Sequence, residues 1–263
     1  MDIETGSYKD RYMIRPIAYV RSDYNEKFGI PRQPGLVREL EQEVILEPGF
    51  SNGDALRGIE DFTHIWLIWG FSQTRFDMEA DPLEWRPTVR PPWLGGNTRK
   101  GVWATRSPFR PNSLAMSCVR LVRIEHGGKT VVNTEGIGET GEKLSLIISG
   151  ADIVNGTPVY DIKPYIPYTD SHPEASGGFT GSIDYKKLDV EFPEDLLLRI
   201  SQDKRAGLIE VLAGDPRGAY NKQPGYVYGM SFGDWDIRFT VDGDKLSVTD
   251  VVSYPDEDPV RVK

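Results

Sequence analysis

The chain is poor in the residues that build disulfides and metal sites. Its 263 residues include a single cysteine, Cys118, so no disulfide can form within the chain. This usage is typical of a reducing compartment and predicts a cytoplasmic location. The three histidines, His64, His126 and His172, lie far apart and show no metal-ligand spacing. We therefore expect no metal site.

Long apolar runs and signatures of common enzyme classes are also missing. No stretch approaches the ~18 consecutive apolar residues of a membrane-spanning helix, and residues 1–13 lack the apolar core of a signal peptide, so we expect no membrane partner. A GxSxG sequence is absent, which leaves a serine hydrolase without support. Residues 136–141 match GxGxxG, but the following residues predict a strand and not the helix that binds a pyrophosphate.

One segment contains no acidic residue although the chain as a whole is acidic. The formal net charge is −9, from 31 Lys and Arg against 40 Asp and Glu. Residues 85–123, here named the basic segment, hold no Asp or Glu and eight basic residues: Arg86, Arg90, Arg99, Lys100, Arg106, Arg110, Arg120 and Arg123. Local positive charge of this kind points to an anionic partner, and its prolines and glycines place much of it on loops. A solvated basic loop without a partner is the alternative.

Short apolar segments separated by glycine-rich turns predict about eight strands in residues 13–167. The apolar run 64–71 is expected to be a buried central strand. The other predicted strands are 13–22, 44–46, 101–105, 116–125, 130–133, 144–149 and one after the turn at 155–156, with a further turn at 126–129. Asn52 or Asp54 is expected to cap a short helix. Many short strands with little helix indicate an antiparallel barrel or sandwich.

The composition changes after residue 168. Residues 169–181 are small, polar and rich in Gly, Pro and Ser, as in a linker or mobile lobe. Apolar residues then recur at helical spacing from Pro193 to Gly214, and residues 226–241 and 245–252 predict a hairpin. We therefore predict a first domain over 12–170, a linker over 171–192 and a small α+β domain over 193–255.

Four sequence pieces together resemble the TsaA-like family of S-adenosylmethionine-dependent tRNA methyltransferases. They are PRQPGL at 31–36, the pair RPTVRPP and LGGN within 86–97, GVWATRSPFRPN at 101–112, and DIVNGTPVYDIKPY at 152–165. Their order and spacing match over about residues 12–170. GDPRGAY at 214–220 and YGM at 228–230 are similar to the small C-terminal domain of full-length bacterial members.

The resemblance implies a mainly β fold, an antiparallel β-barrel-like TsaA domain followed by a small α+β C-terminal domain. It implies a homodimer with S-adenosyl-L-methionine bound near the subunit interface. The implied reaction moves a methyl group from that cofactor to N6 of threonylcarbamoyladenosine next to the anticodon. The alternatives are a methyltransferase of another RNA or a small molecule, and a non-catalytic cofactor-sensing or RNA-binding module.

The resemblance also assigns site residues. The implied cofactor contacts are Pro31, Arg32, Gln33, Ser72, Gln73, Arg106, Met116, Ser149, Gly150, Ala151 and Asp152. Ser72 stands where relatives carry His, Ser113–Ala115 replaces the commoner Pro-Ile-Gly, and the acidic insertion 76–84 is longer than expected.

The implied partner is the anticodon arm of tRNA, and the residues expected to hold it are Arg86, Arg90, Arg99, Lys100, Arg110, Arg217 and Tyr220. A structural turn is the alternative for Arg217 and Tyr220. Trp93 and Trp103 are available for stacking on bases or for core packing. Asp152 is either a turn residue that bonds backbone amides or the cofactor, or a general base. The catalytic residue therefore stays unassigned from sequence.

Overall fold

The computed structural model describes residues 13–73, 85–91, 94, 97–129, 142–182, 186–217, 223 and 225–254. Several features predicted from the sequence lie outside these residues: the acidic insertion 76–84, Trp93, the strand 130–133, the GxGxxG match at 136–141, and Tyr220. Within the described part of the chain, no helix is both long and apolar enough to cross a membrane.

Six antiparallel strands close into a barrel, in the spatial order β1-β2-β7-β6-β3-β8. Their bounds are β1 Ala18–Arg21, β2 Glu41–Leu46, β3 His64–Gly70, β6 Leu114–Lys129, β7 Glu142–Ser149 and β8 Pro158–Pro164. Strands β4 Thr88–Val89 and β5 Lys100–Gly101 pair separately as a short antiparallel ladder. This architecture confirms the predicted antiparallel β-barrel.

The barrel forms because its strands present apolar side chains inward at every second position. On β3, Ile65, Leu67 and Trp69 are buried, whereas Trp66 and Ile68 between them are only half-buried. β3 pairs with β6 on one side and β8 on the other, as expected for a central strand. The inward residues of all six strands form one apolar core.

Two predictions of local secondary structure were wrong, the strand at 101–105 and the turn at 126–129. Residues 101–105 do not form a strand, because after β5 the chain turns through the 3-10 helix Val102–Ala104. The turn predicted at 126–129 is absent, because β6 continues to Lys129 in a ladder with β7. A register shift between His126 and Lys129 accommodates the glycines, so pairing with β7 overrides the local turn preference.

The C-terminal unit is a four-stranded sheet, in the order β10-β11-β12-β9, with helices packed on it. Its elements are β9 Asp189–Glu191, α3 Glu194–Leu197, α4 Gln202–Ala213, β10 Tyr228–Phe232, β11 Trp235–Asp242 and β12 Lys245–Ser253. β9 runs parallel to β12 and lies inside the range 171–192 that the sequence predicted as a linker. The unit therefore begins before residue 193, because Leu188 and β9 pack into its core.

Two further short helices flank the barrel, α1 Gly53–Leu56 and α2 Pro167–Asp170. The 3-10 helices Ile59–Asp61 and Gly178–Ser182 complete the elements used below. Asn52 caps α1, since its side-chain oxygen accepts from the Asp54 backbone N–H at 2.9 Å.

The segment 22–40, between β1 and β2, joins the barrel to the C-terminal unit. Tyr24, Val37 and Leu40 are buried in the core of the C-terminal unit. Asn25 Nδ2 donates to Ser231 Oγ at 3.0 Å and to the Gly233 carbonyl at 2.8 Å. A segment of the first domain is therefore part of the second domain's core.

Candidate functional site

A cavity of about 570 Å³ opens at one end of the barrel. At this end β1, β3 and β7 finish, and β2, β6 and β8 begin. The loops that leave these strand ends therefore meet around the cavity. Its walls are Lys27, Ile30–Pro34, Ile68, Trp69, Phe71–Gln73, Thr105, Arg106, Pro108, Arg110, Leu114–Ser117, Asp152, Val154 and Thr157.

The structure brings together most of the residues that the sequence assigned to a cofactor. Eight of the eleven line the cavity: Pro31, Arg32, Gln33, Ser72, Gln73, Arg106, Met116 and Asp152. These residues come from five separated parts of the chain, which only the barrel closure places side by side.

Ser149, Gly150 and Ala151 are not among the residues that line the cavity. The Gly35 backbone N–H donates to the Gly150 carbonyl at 2.7 Å, and Gln42 Nε2 donates to the Ala151 carbonyl at 3.1 Å. Gly150 has φ +80°, and a Cβ there would lie 3.5 Å from the Gly35 Cα. The turn 149–151 therefore supports the loop that forms the wall.

Side-chain hydrogen bonds hold the cavity walls to one another. Arg106 Nη1 donates to Gln33 Oε1 at 2.7 Å, which joins the basic segment to the loop before β2. Lys27 Nζ donates to the Gln73 carbonyl at 2.7 Å. The Ser72 hydroxyl lies 3.2 Å from the Thr157 hydroxyl. This contact joins the loop after β3 to the turn that precedes β8.

Asp152 is the one carboxylate among the described residues that line the cavity. Ser117 Oγ donates to its Oδ1 at 2.7 Å, and Trp69 Nε1 donates to that serine hydroxyl at 3.0 Å. Burial raises the pKa of Asp152, although the Ser117 hydrogen bond and the charge of Arg106 act in the opposite direction. A fixed carboxylate with a raised pKa is suited to accept a proton from a bound group.

Basic side chains outnumber this carboxylate around the cavity. Lys27, Arg32, Arg106 and Arg110 all line it. Burial lowers the pKa of Lys27, which reflects the cost of removing an ammonium group from water. An excess of fixed positive charge at a partly enclosed site favours anionic ligands.

Sequence reasoning missed several cavity residues, among them Lys27, Trp69, Phe71, Ser117 and Thr157. Phe71 and Trp69 lie beside the predicted Ser72, and Ser117 follows the predicted Met116. The predicted residues therefore identified this part of the cavity through their neighbours in the chain. Thr157 belongs to the motif at 152–165, which also contains the predicted Asp152. Lys27 had no such signal, because it approaches the cavity only through the fold.

The basic segment divides into a cavity-side part and a barrel part. Arg110 lines the cavity, and its Nη1 donates to the Thr105 and Ser107 carbonyls at 3.0 and 3.2 Å. In the part on the barrel, Arg123 is paired with Glu41 and Glu125 on the outer surface. The positive charge of the segment is thus concentrated before β6.

The other predicted RNA contacts lie on the ladder β4–β5 and its neighbours. The Arg86 guanidinium lies 4.4 Å from the Phe109 ring centroid, and Lys100 Nζ lies 5.6 Å from that of Phe179. Arg99 Nη1 donates to Thr88 Oγ1 at 3.3 Å. Arg90 is exposed at the end of β4.

Arg217 has a different environment from the one expected of an RNA contact. Its side chain is buried, with 6% of the residue exposed, and its Nε and Nη2 donate to the two carboxylate oxygens of Asp215 at 2.8 and 3.0 Å. The Arg217 carbonyl accepts from Arg32 Nη2 at 2.9 Å. Arg217 therefore supports the cavity wall from the C-terminal unit, and its guanidinium is enclosed by protein.

Possible metal ligands do not cluster in the described part of the chain. No group of three or more His, Cys, Asp or Glu side chains there could hold a metal ion.

The chain matches two protein-family models that together span the barrel and the C-terminal unit. The tRNA-methyltransferase O N-terminal domain matches residues 19–171. The TrmO C-terminal domain matches residues 185–254. The first match alone contains every described residue that lines the cavity.

Similar proteins also match over nearly their full length. A tRNA (adenine(37)-N6)-methyltransferase of Escherichia coli strain K12 is 40% identical over 238 residues, 88% of this chain and 93% of the relative. A Pseudomonas aeruginosa protein named putative S-adenosylmethionine-dependent methyltransferase RcsF is 35% identical over 258 residues, 95% of this chain and 96% of the relative. A crystal structure of TrmO from Pseudomonas aeruginosa superposes with a TM-score of 0.67 at 33% identity, covering 92% of this chain and all of that one.

Proposed function

Because the chain belongs to the TrmO family of tRNA methyltransferases, we propose that it methylates N6 of threonylcarbamoyladenosine next to the anticodon. The enzyme is an S-adenosylmethionine-dependent tRNA methyltransferase that acts on adenine N6 near the anticodon. What we propose beyond the family activity is that the target adenosine carries a threonylcarbamoyl group. The observation that carries it is the cavity, whose described lining has four basic side chains and one carboxylate and therefore suits a substrate that is itself anionic.

The cavity fits S-adenosylmethionine in size and in chemistry. Its volume of about 570 Å³ lies within the ~300–1,000 Å³ usual for small-molecule sites. Arg32 and Arg106 match a carboxylate, and Trp69, Phe71 and Met116 supply apolar and polarizable surface. We assign the cofactor to Pro31, Arg32, Gln33, Ser72, Gln73, Arg106, Met116 and Asp152, with the turn 149–151 as support. When bound, S-adenosylmethionine supplies an electrophilic methyl group on a sulfonium.

Asp152 is assigned as the proton acceptor. The target nitrogen is attached to a carbamoyl group and is a poor nucleophile, so its proton must leave as the new bond to carbon forms. Asp152 lines the same cavity, and Ser117 fixes one of its oxygens at 2.7 Å. Alignment of the reacting groups by the walls contributes as well, since orientation can be worth ~7–11 kcal/mol.

The remaining parts of the proposal concern partners and organisation. Arg86, Arg90, Arg99, Lys100 and Arg110 bind phosphates of the anticodon arm. The barrel domain, 12–170, binds cofactor and catalyses, and the C-terminal unit supports it. The protein acts as a cytoplasmic homodimer, as the family resemblance implies.

The function is tested with purified protein, S-adenosylmethionine and two tRNA preparations that differ only in the threonylcarbamoyl group. Nucleoside mass spectrometry is expected to show one added methyl group on threonylcarbamoyladenosine and none on the plain adenosine of the second tRNA. Methylation of plain adenosine would identify another RNA substrate. No transfer to either tRNA would leave a cofactor-binding or RNA-binding module.

Replacing Arg32 or Arg106 with alanine is expected to weaken cofactor binding by about 10- to 100-fold. Both arginines line the cavity, and a hydrogen bond to a charged group contributes ~1.5–3 kcal/mol. Isothermal titration calorimetry with S-adenosylmethionine measures the change. Arg57→Ala is the control, because Arg57 follows α1 at the opposite end of the barrel. Native affinity in both cavity variants would contradict the assignment.

Reversing the charge of Arg86 is expected to weaken tRNA binding and to flatten its salt dependence. Each lost phosphate contact lowers the slope of log K against log salt by about 1. Arg57→Glu makes the same charge change far from the cavity and is expected to keep the native slope. Filter binding of tRNA over a salt series gives both slopes, and equal slopes would remove Arg86 from the RNA surface.

A further inference from the structure

Two stacked tryptophans, half-buried Trp85 and exposed Trp103, lie on the loops that lead to the cavity wall. The rings of Trp85 and Trp103 lie 5.4 Å apart between centroids at an interplanar angle of 24°. Trp103 is 75% exposed, so it is not a core residue. A large exposed aromatic surface is suited to a flat partner that stacks on it and displaces water.

Backbone hydrogen bonds fix this pair relative to the cavity. Trp103 lies in the 3-10 helix Val102–Ala104, and the Thr105 N–H and hydroxyl both donate to the Val102 carbonyl, at 3.1 and 2.8 Å. Thr105 itself lines the cavity. The Val102 N–H donates to the Pro87 carbonyl at 2.9 Å, which holds the chain after Trp85 against the same turn.

Basic residues lie close to the two tryptophans in the chain, and their side chains contact other aromatic rings. Arg86 follows Trp85 directly and stacks its guanidinium on Phe109, and Lys100 lies over Phe179. The segment 85–123 contains no Asp or Glu. Aromatic faces interleaved with cations form the surface that binds single-stranded nucleic acid, in which bases stack on rings and phosphates pair with cations.

We propose that the Trp85–Trp103 pair is a stacking platform for an unpaired anticodon-loop base that neighbours the methylated adenosine. The proposal rests on the proposed function, because it takes tRNA as the substrate. The platform requires that the subunit contact of the proposed homodimer leave this surface open. A two-fold contact of the patch with itself would oppose Arg86 and Lys100 to their own copies.

The test measures binding of an anticodon stem-loop RNA to the full-length protein by fluorescence anisotropy. Trp103→Ala is expected to weaken binding by about 5- to 150-fold, the range for loss of one base–aromatic stack. Trp103→Phe is expected to restore most of the affinity because it keeps a ring. The salt slope is expected to stay native in both variants, since stacking releases no counterions.

Two controls separate stacking from general damage. Phe50→Ala removes another exposed ring, 43% exposed, after β2 at the opposite end of the barrel, and is expected to leave RNA binding unchanged. Stem-loops with a single abasic position identify the stacked base: at that position Trp103→Ala is expected to add no further loss.

Three outcomes are decisive. Native RNA affinity in Trp103→Ala would overturn the platform. Conversion of Trp103→Ala to a smaller species in analytical ultracentrifugation, with unchanged RNA affinity per folded chain, would assign the rings to a contact between copies and also overturn it. If the wild-type protein transfers no methyl group but Trp103→Ala still weakens RNA binding, the proposed reaction is contradicted and the platform is supported.

Discussion

Asp152→Asn is expected to lower the turnover number by about 10²- to 10⁴-fold, the usual contribution of a positioned general base. Asparagine keeps the shape of the side chain and can still accept the Ser117 hydrogen bond, but it cannot take the proton from the target nitrogen. Single-turnover methyl transfer at saturating tRNA measures the effect. Cofactor affinity, measured by calorimetry, is expected to change far less than turnover.

The pH dependence gives an independent check on the same residue. Burial raises the pKa of Asp152 above its ordinary value of 3.8, so activity is expected to fall as the pH drops through that raised pKa. Ser117→Ala removes a hydrogen bond that favours the ionised form, and it is expected to move this acidic limb to higher pH. Asp152→Asn is expected to lack the limb. An unshifted limb in Ser117→Ala would assign the titration to another group.

Stability separates a catalytic Asp152 from a structural one. A carboxyl whose pKa is raised by folding stabilises the protein in its protonated form, and that stability is lost as the pH rises through the folded-state pKa. At neutral pH the ionised side chain is therefore a cost. Asp152→Asn is expected to keep or increase the melting temperature there, whereas a clear decrease would indicate that Asp152 mainly holds the turn together.

Asp215→Ala is expected to lower the free energy of unfolding by about 3 kcal/mol. The variant leaves the buried Arg217 guanidinium without its carboxylate, and breaking a buried pair costs ~3–5 kcal/mol. We take the lower end because Asp215 retains some exposure. Thermal unfolding is expected to shift by about 6–12 °C. Asp250→Ala breaks the exposed pairs with Arg199 and Arg238 and is expected to cost less than ~1 kcal/mol.

The same variant is expected to weaken binding of S-adenosylmethionine. The Arg217 carbonyl holds Arg32, a residue of the cavity wall, so displacement of the turn 215–217 disorders that wall. Asp215→Asn is the milder comparison, because asparagine also tolerates the positive φ of 54° at this position. Lower stability with native cofactor affinity would show that Arg32 does not depend on the C-terminal unit.

The Asp215–Arg217 turn shows why the sequence could not assign Arg217. A run of Gly, Asp, Pro and Arg is typical of an exposed turn, and an arginine in it is usually available to an anionic partner. Burial of this arginine depends on Tyr228, whose ring lies 6.0 Å from the guanidinium, and on the loop around Arg32, which is 185 residues away in the chain. No local pattern reports such contacts.

At the end of β6, pairing with β7 competes with a local preference for a turn. Glycines at 127 and 128 favour a turn locally, and the sequence predicted one. The strand continues because Lys129 pairs with Glu142 and His126 with Leu144 in the ladder with β7. Ladder hydrogen bonds outweighed the local preference, and that preference appears only as a register shift.

The sequence by itself determined the fold class, the family and the region of the site. Alternating apolar residues report which faces are buried, and the long motifs between 31 and 165 cover the loops at one end of the barrel and strand β8. These signals are local, so they could be read without coordinates.

Only the tertiary structure decided how the site is built. It joined Asp152, Ser117 and Trp69, enclosed Arg217, and left Trp103 in solvent beside the cavity. The physical reason is that closure of the barrel and insertion of the segment 22–40 into the C-terminal core bring distant residues together. Hydrogen bonding, burial and pKa depend on those neighbours and not on neighbours in the chain.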